Sequence, residues 1–217
     1  YCQYVDEGYT DVIHVPINKS GSSTYNNAVM AQGMLREERP EHHLNIHLLD
    51  PHTYSMVFGW YLCEMARKLQ NGAELRHVIS EFETQMNKME VILGPYSLKQ
   101  MKKSGRISAA AAVMGELMGI RPIITLIDGK TKVESKVRGD DKVIPAMIDL
   151  CKKRTEGVED FDYMIGHTSI PQAAELEKAC RKAFGKAPLT TFNLGGVVSA
   201  NTGPDTLALV YVGKPRD

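Results

Sequence analysis

The strongest constraint on the fold is a regular alternation of two kinds of apolar stretch before Glu90. "TDVIHVPI" is rich in β-branched residues and too short for a helix, so it predicts a buried strand. A serine-rich loop follows, then a helix from about Ser23 to Arg36, then a second strand in "LNIHLLD". "SMVFGWYLCEMARKLQNG" is apolar on nearly every face and predicts a central helix with Gly72 as its C-terminal stop. "AELRHVISEFETQMNKM" reads as an amphipathic helix. Strands separated by helices imply a parallel α/β sheet.

From Val91 the pattern changes. "VILG" is a strand, "SLKQMKKSG" a short helix, and "RISAAAAVMGELMG" a helix rich in small residues. "RPIITLIDGKTKVESKV" predicts a hairpin on Asp128-Gly129. "DKVIPAMIDLCKKRT" is helical with Pro145 near its first turn. "FDYMIGHTS", "PQAAELEKACRKAF", "LTTFNL" and "DTLALVYVG" give strand, helix, strand, strand. We therefore expect two lobes. Residues 1–89 form an α/β lobe with the serine loop, and residues 90–217 a mixed α/β lobe. The chain opens without an initiator methionine on "YCQYVDEGY", which reads as the tail of a helix, so the first lobe is expected to be incomplete and to expose apolar surface.

Charge narrows the function. The 217 residues carry 26 basic and 26 acidic side chains, and a net charge of zero argues against general binding to nucleic acid or a membrane surface. The distribution is uneven, with nine basic residues against three acidic ones between Tyr96 and Arg138. Cys2, Cys63, Cys151 and Cys180 form no CxxC pair and read as reduced, which suits a cytoplasmic protein. No signal peptide or long apolar span is visible, so stable membrane insertion is not expected.

Three stretches offer chemistry. In "INKSGSSTYNNA", Ser20, Ser22 and Ser23 lie where a strand passes through glycine into a helix. Free backbone N–H groups and the positive end of the helix dipole there suit a carboxylate or phosphate. Ser22 or Ser23 acting only as a helix cap accounts for the loop equally simply. No histidine, carboxylate or lysine is arranged to activate a serine, and GxxxxGK[ST] is absent. In "GGVVSANTGPDTLALVYVG", paired glycines and an Asn-Thr-Gly-Pro turn offer Asn201 and Thr202, although a tight turn before a strand explains the same residues. In "SLKQMKKSGRIS", Lys99, Lys102, Lys103 and Arg106 would share one face of a continuous helix, which is commonly just a solvated face. His42, His43 and His47 have no partner ligands at metal-binding spacing, and no triad, GxSxG or HExxH occurs, so no metal or catalytic residue is expected.

Together the three stretches resemble the DegV family of bacterial fatty-acid-binding proteins. "INKSGSSTYNNA" is similar to the family's strand-to-helix motif in its Ile, one Ser, Thr-Tyr and closing Ala. "LKQMKKSGRISAAAAVMGELMGIRPIITLIDGKTKVESKVRG" is closer to the family pattern, and "GGVVSANTGPDTLALVYVG" looks like its closing segment. Two departures stand out. The family's opening Asp-Ser-Thr strand and its later Thr-Ser-Gln-Pro loop are not found, and Asn201 stands where many members have a histidine that contacts the carboxylate. Asn offers a neutral hydrogen bond but no positive charge.

The resemblance implies a two-lobed DegV-like α/β fold and a non-catalytic protein that takes a long-chain fatty acid as ligand, with no cofactor. Ser22 is implied as the carboxylate ligand, with Ser20, Ser23, Asn201 and Thr202 around it. It also implies a partner, a fatty acid kinase that phosphorylates the bound acid, docked at Arg106 and Arg138. The competing readings are a small-molecule kinase or phosphotransferase subunit that binds phosphate in the serine loop, and a scaffold whose basic face binds an acidic partner.

Overall fold

The computed structural model describes residues 1–105 and 119–215. Most of the predicted helix in "RISAAAAVMGELMG", Arg106 included, lies outside the described residues. A short helix α1 (Cys2–Asp6) precedes strand β1 (Asp11–His14), helix α2 (Thr24–Glu38) and strand β2 (Asn45–Leu48). β1 and β2 pair in parallel, Asp11 opposite Asn45 and His14 opposite Leu48, with α2 as the crossover that parallel neighbours require. α2 buries Ala28 and Leu35. Its other side leaves Val29, Met30 and Met34 exposed, at 46%, 66% and 63%.

Helices α3 (Met56–Gln70) and α4 (Leu75–Met86) follow. Glu74 caps α4 by accepting from the N–H groups of Arg76 and His77 at 3.0 Å. Then come strand β3 (Met89–Pro95), helix α5 (Lys99–Ser104) and the hairpin β4 (Ile120–Ile127) to β5 (Lys130–Arg138). Asp128 and Gly129 take φ values of 51° and 70°, the left-handed pair that a two-residue hairpin turn demands. A 3-10 turn leads into α6 (Val143–Arg154), where Pro145 falls in the first turn and forfeits no intrahelical hydrogen bond. Strand β6 (Tyr163–His167), helix α7 (Gln172–Phe184), strand β7 (Thr191–Asn193), helix α8 (Gly196–Thr202) and strand β8 (Thr206–Val212) complete the order.

β3 to β8 form one mixed sheet in the order β5-β4-β3-β8-β6-β7, with only β6 and β7 parallel. The architecture is thus α/β, with a parallel sheet and a separate mixed one. Alternation along the strands sorts the mixed sheet into two apolar faces. Ile92, Ile123, Tyr163, Ile165, Leu207, Leu209 and Tyr211 pack with Met147 of α6 and Leu176 of α7. Val91, Leu93, Ile124, Met164, Ala208 and Val210 pack with α3 and α4 through Val57, Met65, Val78, Phe82 and Met86. Each fully buried side chain of this size stabilises by about 1.5–3 kcal/mol, and this double layer holds the chain together. One polar network enters it. The buried Glu90 carboxylate takes a bidentate pair from the Arg154 guanidinium and a 2.6 Å hydrogen bond from Tyr211 Oη.

Two expectations are corrected. α3 is not enclosed on all sides, since only Val57 and Met65 are buried, its large apolar residues such as Phe58 and Trp60 are half-buried against one face of the sheet, and Cys63 and Ala66 are exposed. The glycine-rich stretch is a helix rather than a turn. It enters at Gly195 (φ 77°) and leaves at Gly203 (φ 93°), with Gln100 Nε2 of α5 donating to Ala200 O at 2.6 Å. The short helix expected in "SLKQMKKSG" is present as α5, which stops at Ser104 where Gly105 caps it in the left-handed conformation.

Candidate functional site

The serine loop is shaped by Asn18, whose side chain is 1% exposed although it is polar. Its Oδ1 accepts from Ser20 N (2.9 Å), Ser20 Oγ (2.6 Å) and Gly21 N (3.0 Å), so one carboxamide turns the chain from β1 towards α2. Ser20 is exposed and occupied by this bond. Ser22 is half-buried; its Oγ lies 2.6 Å from Thr24 Oγ1 and accepts from Thr24 N at 3.3 Å. Ser23 is the N-cap residue of the 15-residue α2, yet its side chain makes no capping hydrogen bond. The capping contact therefore comes from Ser22, one position earlier, on a long 3.3 Å bond in which a better acceptor could replace the hydroxyl. Ser22 and Ser23 stand at the positive end of a four-turn helix.

A second loop, residues 49–55, lies under the first. Asn18 N donates to Thr53 O at 3.1 Å, and Lys19 N reaches Asp50 Oδ1 at 3.4 Å. The Lys19 ammonium turns to Asp50 Oδ2 at 3.7 Å rather than to a serine. His52 Nδ1 sits 2.5 Å from Asp128 Oδ1 on the β4–β5 turn and 3.9 Å from Asp50 Oδ2. The fold thus brings a lysine, a histidine and two carboxylates beside the loop, but none of their hydrogen bonds or ion pairs engages a serine side chain. His52 and Ser55 hold φ values of 56° and 60°, uncommon for residues with a Cβ and a mark of a loop held in place by its surroundings. Two buried oxygens here, Asp50 Oδ2 and Thr53 Oγ1, accept or donate no hydrogen bond among the described residues. Asn18, Asp50, His52 and Thr53 had no signal in the sequence, and Asp128 was marked only as a hairpin turn residue. They are single residues of ordinary loops, joined only by the tertiary fold.

Asn201 and Thr202 lie at the end of α8. Asn201 Nδ2 donates to Val197 O at 2.8 Å, and the buried Thr202 Oγ1 donates to Val198 O at 3.2 Å. No described hydrogen bond joins either to a serine of the loop. The link is indirect, since Ser55 Oγ donates to Leu194 O at 3.3 Å just before α8. Arg138 is exposed at the end of β5 and makes no ion pair among the described residues, whereas Arg121 on β4 pairs with Asp140 at 2.7 Å. Among the described residues no group of three His, Cys, Asp or Glu side chains is placed to hold a metal ion, and no helix is long and apolar enough to cross a membrane. All four cysteines are free; burial pushes the Cys180 thiol up to about 12.

A mixed sheet beside a parallel pair is an α/β fold shared with solved proteins. The chain belongs to the DegV family, described as uncharacterised proteins, whose model matches residues 1–214. It is 28% identical over 214 residues to a DegV domain-containing protein of Staphylococcus aureus, covering 96% of this chain and 71% of the relative. A DegV domain-containing protein of Clostridium acetobutylicum is 27% identical over 202 residues, 93% of this chain and 70% of the relative. Among solved structures, a fatty acid binding DegV family protein from Streptococcus agalactiae matches with TM-score 0.82 and 26% identity, covering 98% of this chain and 74% of that one. A stearic acid-binding protein from Eubacterium ventriosum shares the fold at TM-score 0.85 and 21% identity, with 98% and 73% covered.

Proposed function

We propose that this chain binds a long-chain fatty acid without transforming it, its carboxylate meeting Ser22 with Ser20, Ser23, Asn201 and Thr202 around the head group. The observation that carries this reading is the half-buried Ser22 hydroxyl at the positive start of α2, in a chain of a family whose relative of the same fold is a fatty acid binder. A carboxylate needs only hydroxyl and N–H donors, and the tail needs apolar surface. Each buried methylene contributes about 0.8 kcal/mol, so the tail dominates affinity and the hydroxyls set orientation. The neutral Asn201 suits a head group held by hydrogen bonds.

The finer reading is that the bound acid is presented to a fatty acid kinase, with Arg106 and Arg138 at the docking surface. The exposed Arg138 and the lysines of β5 give that surface the positive sign that steers an acidic partner. Mass spectrometry of lipid extracted from the purified protein tests the central claim. Co-purified fatty acid is expected, and bound nucleotide in its place would overturn it.

A further inference from the structure

The serine loop is held by something outside its own lobe. Gly129, at the tip of the β4–β5 hairpin, packs so closely on the Asn18 carboxamide that a Cβ at position 129 would fall on it. Next to it, Asp128 pairs with His52 at 2.5 Å, and His52 N donates to Asp50 Oδ1 at 2.9 Å. That same Asp50 oxygen receives Lys19 N. The turn of the mixed sheet therefore touches the loop twice, once through Asn18 and once through His52 and Asp50.

We propose that this turn is a positioning element for the head-group site. Gly129 and Asp128 touch no ligand; they fix Asn18 and His52, and Asn18 fixes the backbone that presents Ser22. The assignment rests on the proposed fatty-acid reading for its functional consequence. The physical reason is preorganisation. A loop containing Lys19, Ser20 and Gly21 has wide conformational freedom, and holding it in the binding geometry beforehand lowers the cost of ordering it around a carboxylate. Only glycine serves at position 129, since the position needs both a positive φ and an absent side chain.

The test uses the full chain and stearate as probe, with Gly129→Ala, Asn18→Ala and the double variant. Stearate titration is read beside amide hydrogen exchange at Ser20 and Gly21, which donate to Asn18 Oδ1. Each single variant should speed exchange at those two amides while leaving β3 and β8 protected, and weaken stearate binding about tenfold. The double variant should be little worse than either single one, because both act through one contact. If Gly129→Ala does not fold, His52→Ala carries the same test, since it cuts Asp128 from the loop without altering the turn. Unchanged exchange at Ser20 and Gly21, or freed amides with unchanged stearate affinity, overturns the proposal. A wild-type chain that binds no stearate overturns the fatty-acid reading instead, and the exchange result still decides whether the turn positions the loop.

Discussion

Ser22 and Glu90 show two ways a polar residue is used. Ser22 is half-buried, and its hydroxyl bonds only locally among the described residues, to Thr24 Oγ1 at 2.6 Å and from Thr24 N at 3.3 Å, so a ligand would replace bonds to a single exposed neighbour. On the proposed reading, Ser22→Ala removes one hydrogen bond to a charged group and weakens fatty acid binding by about 1.5–3 kcal/mol. Titration calorimetry checks this, and an unchanged dissociation constant would assign the serine to capping alone. Glu90 is instead committed to structure. Burial first, and then the hydrogen bond to Glu90, hold the Tyr211 phenol well above the usual range, and the Glu90 carboxylate raises the Arg154 guanidinium. Arg154→Met leaves that buried carboxylate without its cation; the cost should approach the lower end of about 3–5 kcal/mol, because Tyr211 still donates to it and Arg154 itself is partly solvated. Chemical denaturation measures it. Ser20, Ser22 and Ser23 were legible in the sequence because a strand, a glycine and a helix bracket them. Asn18 was not, because nothing local distinguishes a buried asparagine from a solvated one.

At the level of elements, the strands and most helices could be read from periodicity, and the Asp128-Gly129 turn from its dipeptide. The glycine-rich stretch before β8 was misread. α8 begins and ends at glycines and contains two valines, a composition that argues against helix, and its contact with α5 overrides that preference. The end of α5 was legible, since Gly105 supplies the left-handed cap that stops the helix after Ser104. β5 is an edge strand with Lys130, Lys132, Lys136 and Arg138 along it. If Arg138 and Arg106 dock a kinase, replacing both with Ala should abolish fatty acid phosphorylation in a coupled assay and spare fatty acid binding. The wild-type rate should also fall with added salt, screening being effective beyond about 8 Å near physiological ionic strength. A double variant that loses fatty acid as well would make these arginines ligand-facing or structural.

For the whole molecule, the net charge of zero hides carboxylates that folding favours in their charged form. Thr191 and Arg181 hold Glu177 below the usual carboxylate range; Lys186 does the same for Asp160, and Lys68 for Glu81. With folded values below unfolded ones, the unfolded chain binds more protons on acidification, so stability rises with pH through this window. The contribution is complete above the unfolded carboxylate value and is lost as pH falls through the folded one. Thermal unfolding from neutral pH into acid should show a falling limb there, and Glu177→Gln should make that limb shallower. Tm values that stay level into acid would contradict the assignment.

The position of β8 has a consequence for how the molecule comes into being. It lies between β3 and β6 in the middle of the mixed sheet, and its register joins Met89 to Val212. A ribosome releases β3 long before its neighbour exists, so the growing chain must carry Val91, Leu93 and the helices that will cover them without a finished surface to rest on. Until residues 206–212 emerge, the sheet consists of two separate pieces, β5-β4-β3 and β6-β7, with unpaired strands along the future seam. Such distant pairing slows the search for the native state. The central strand arrives after both of the pieces it joins, as the keystone of the sheet.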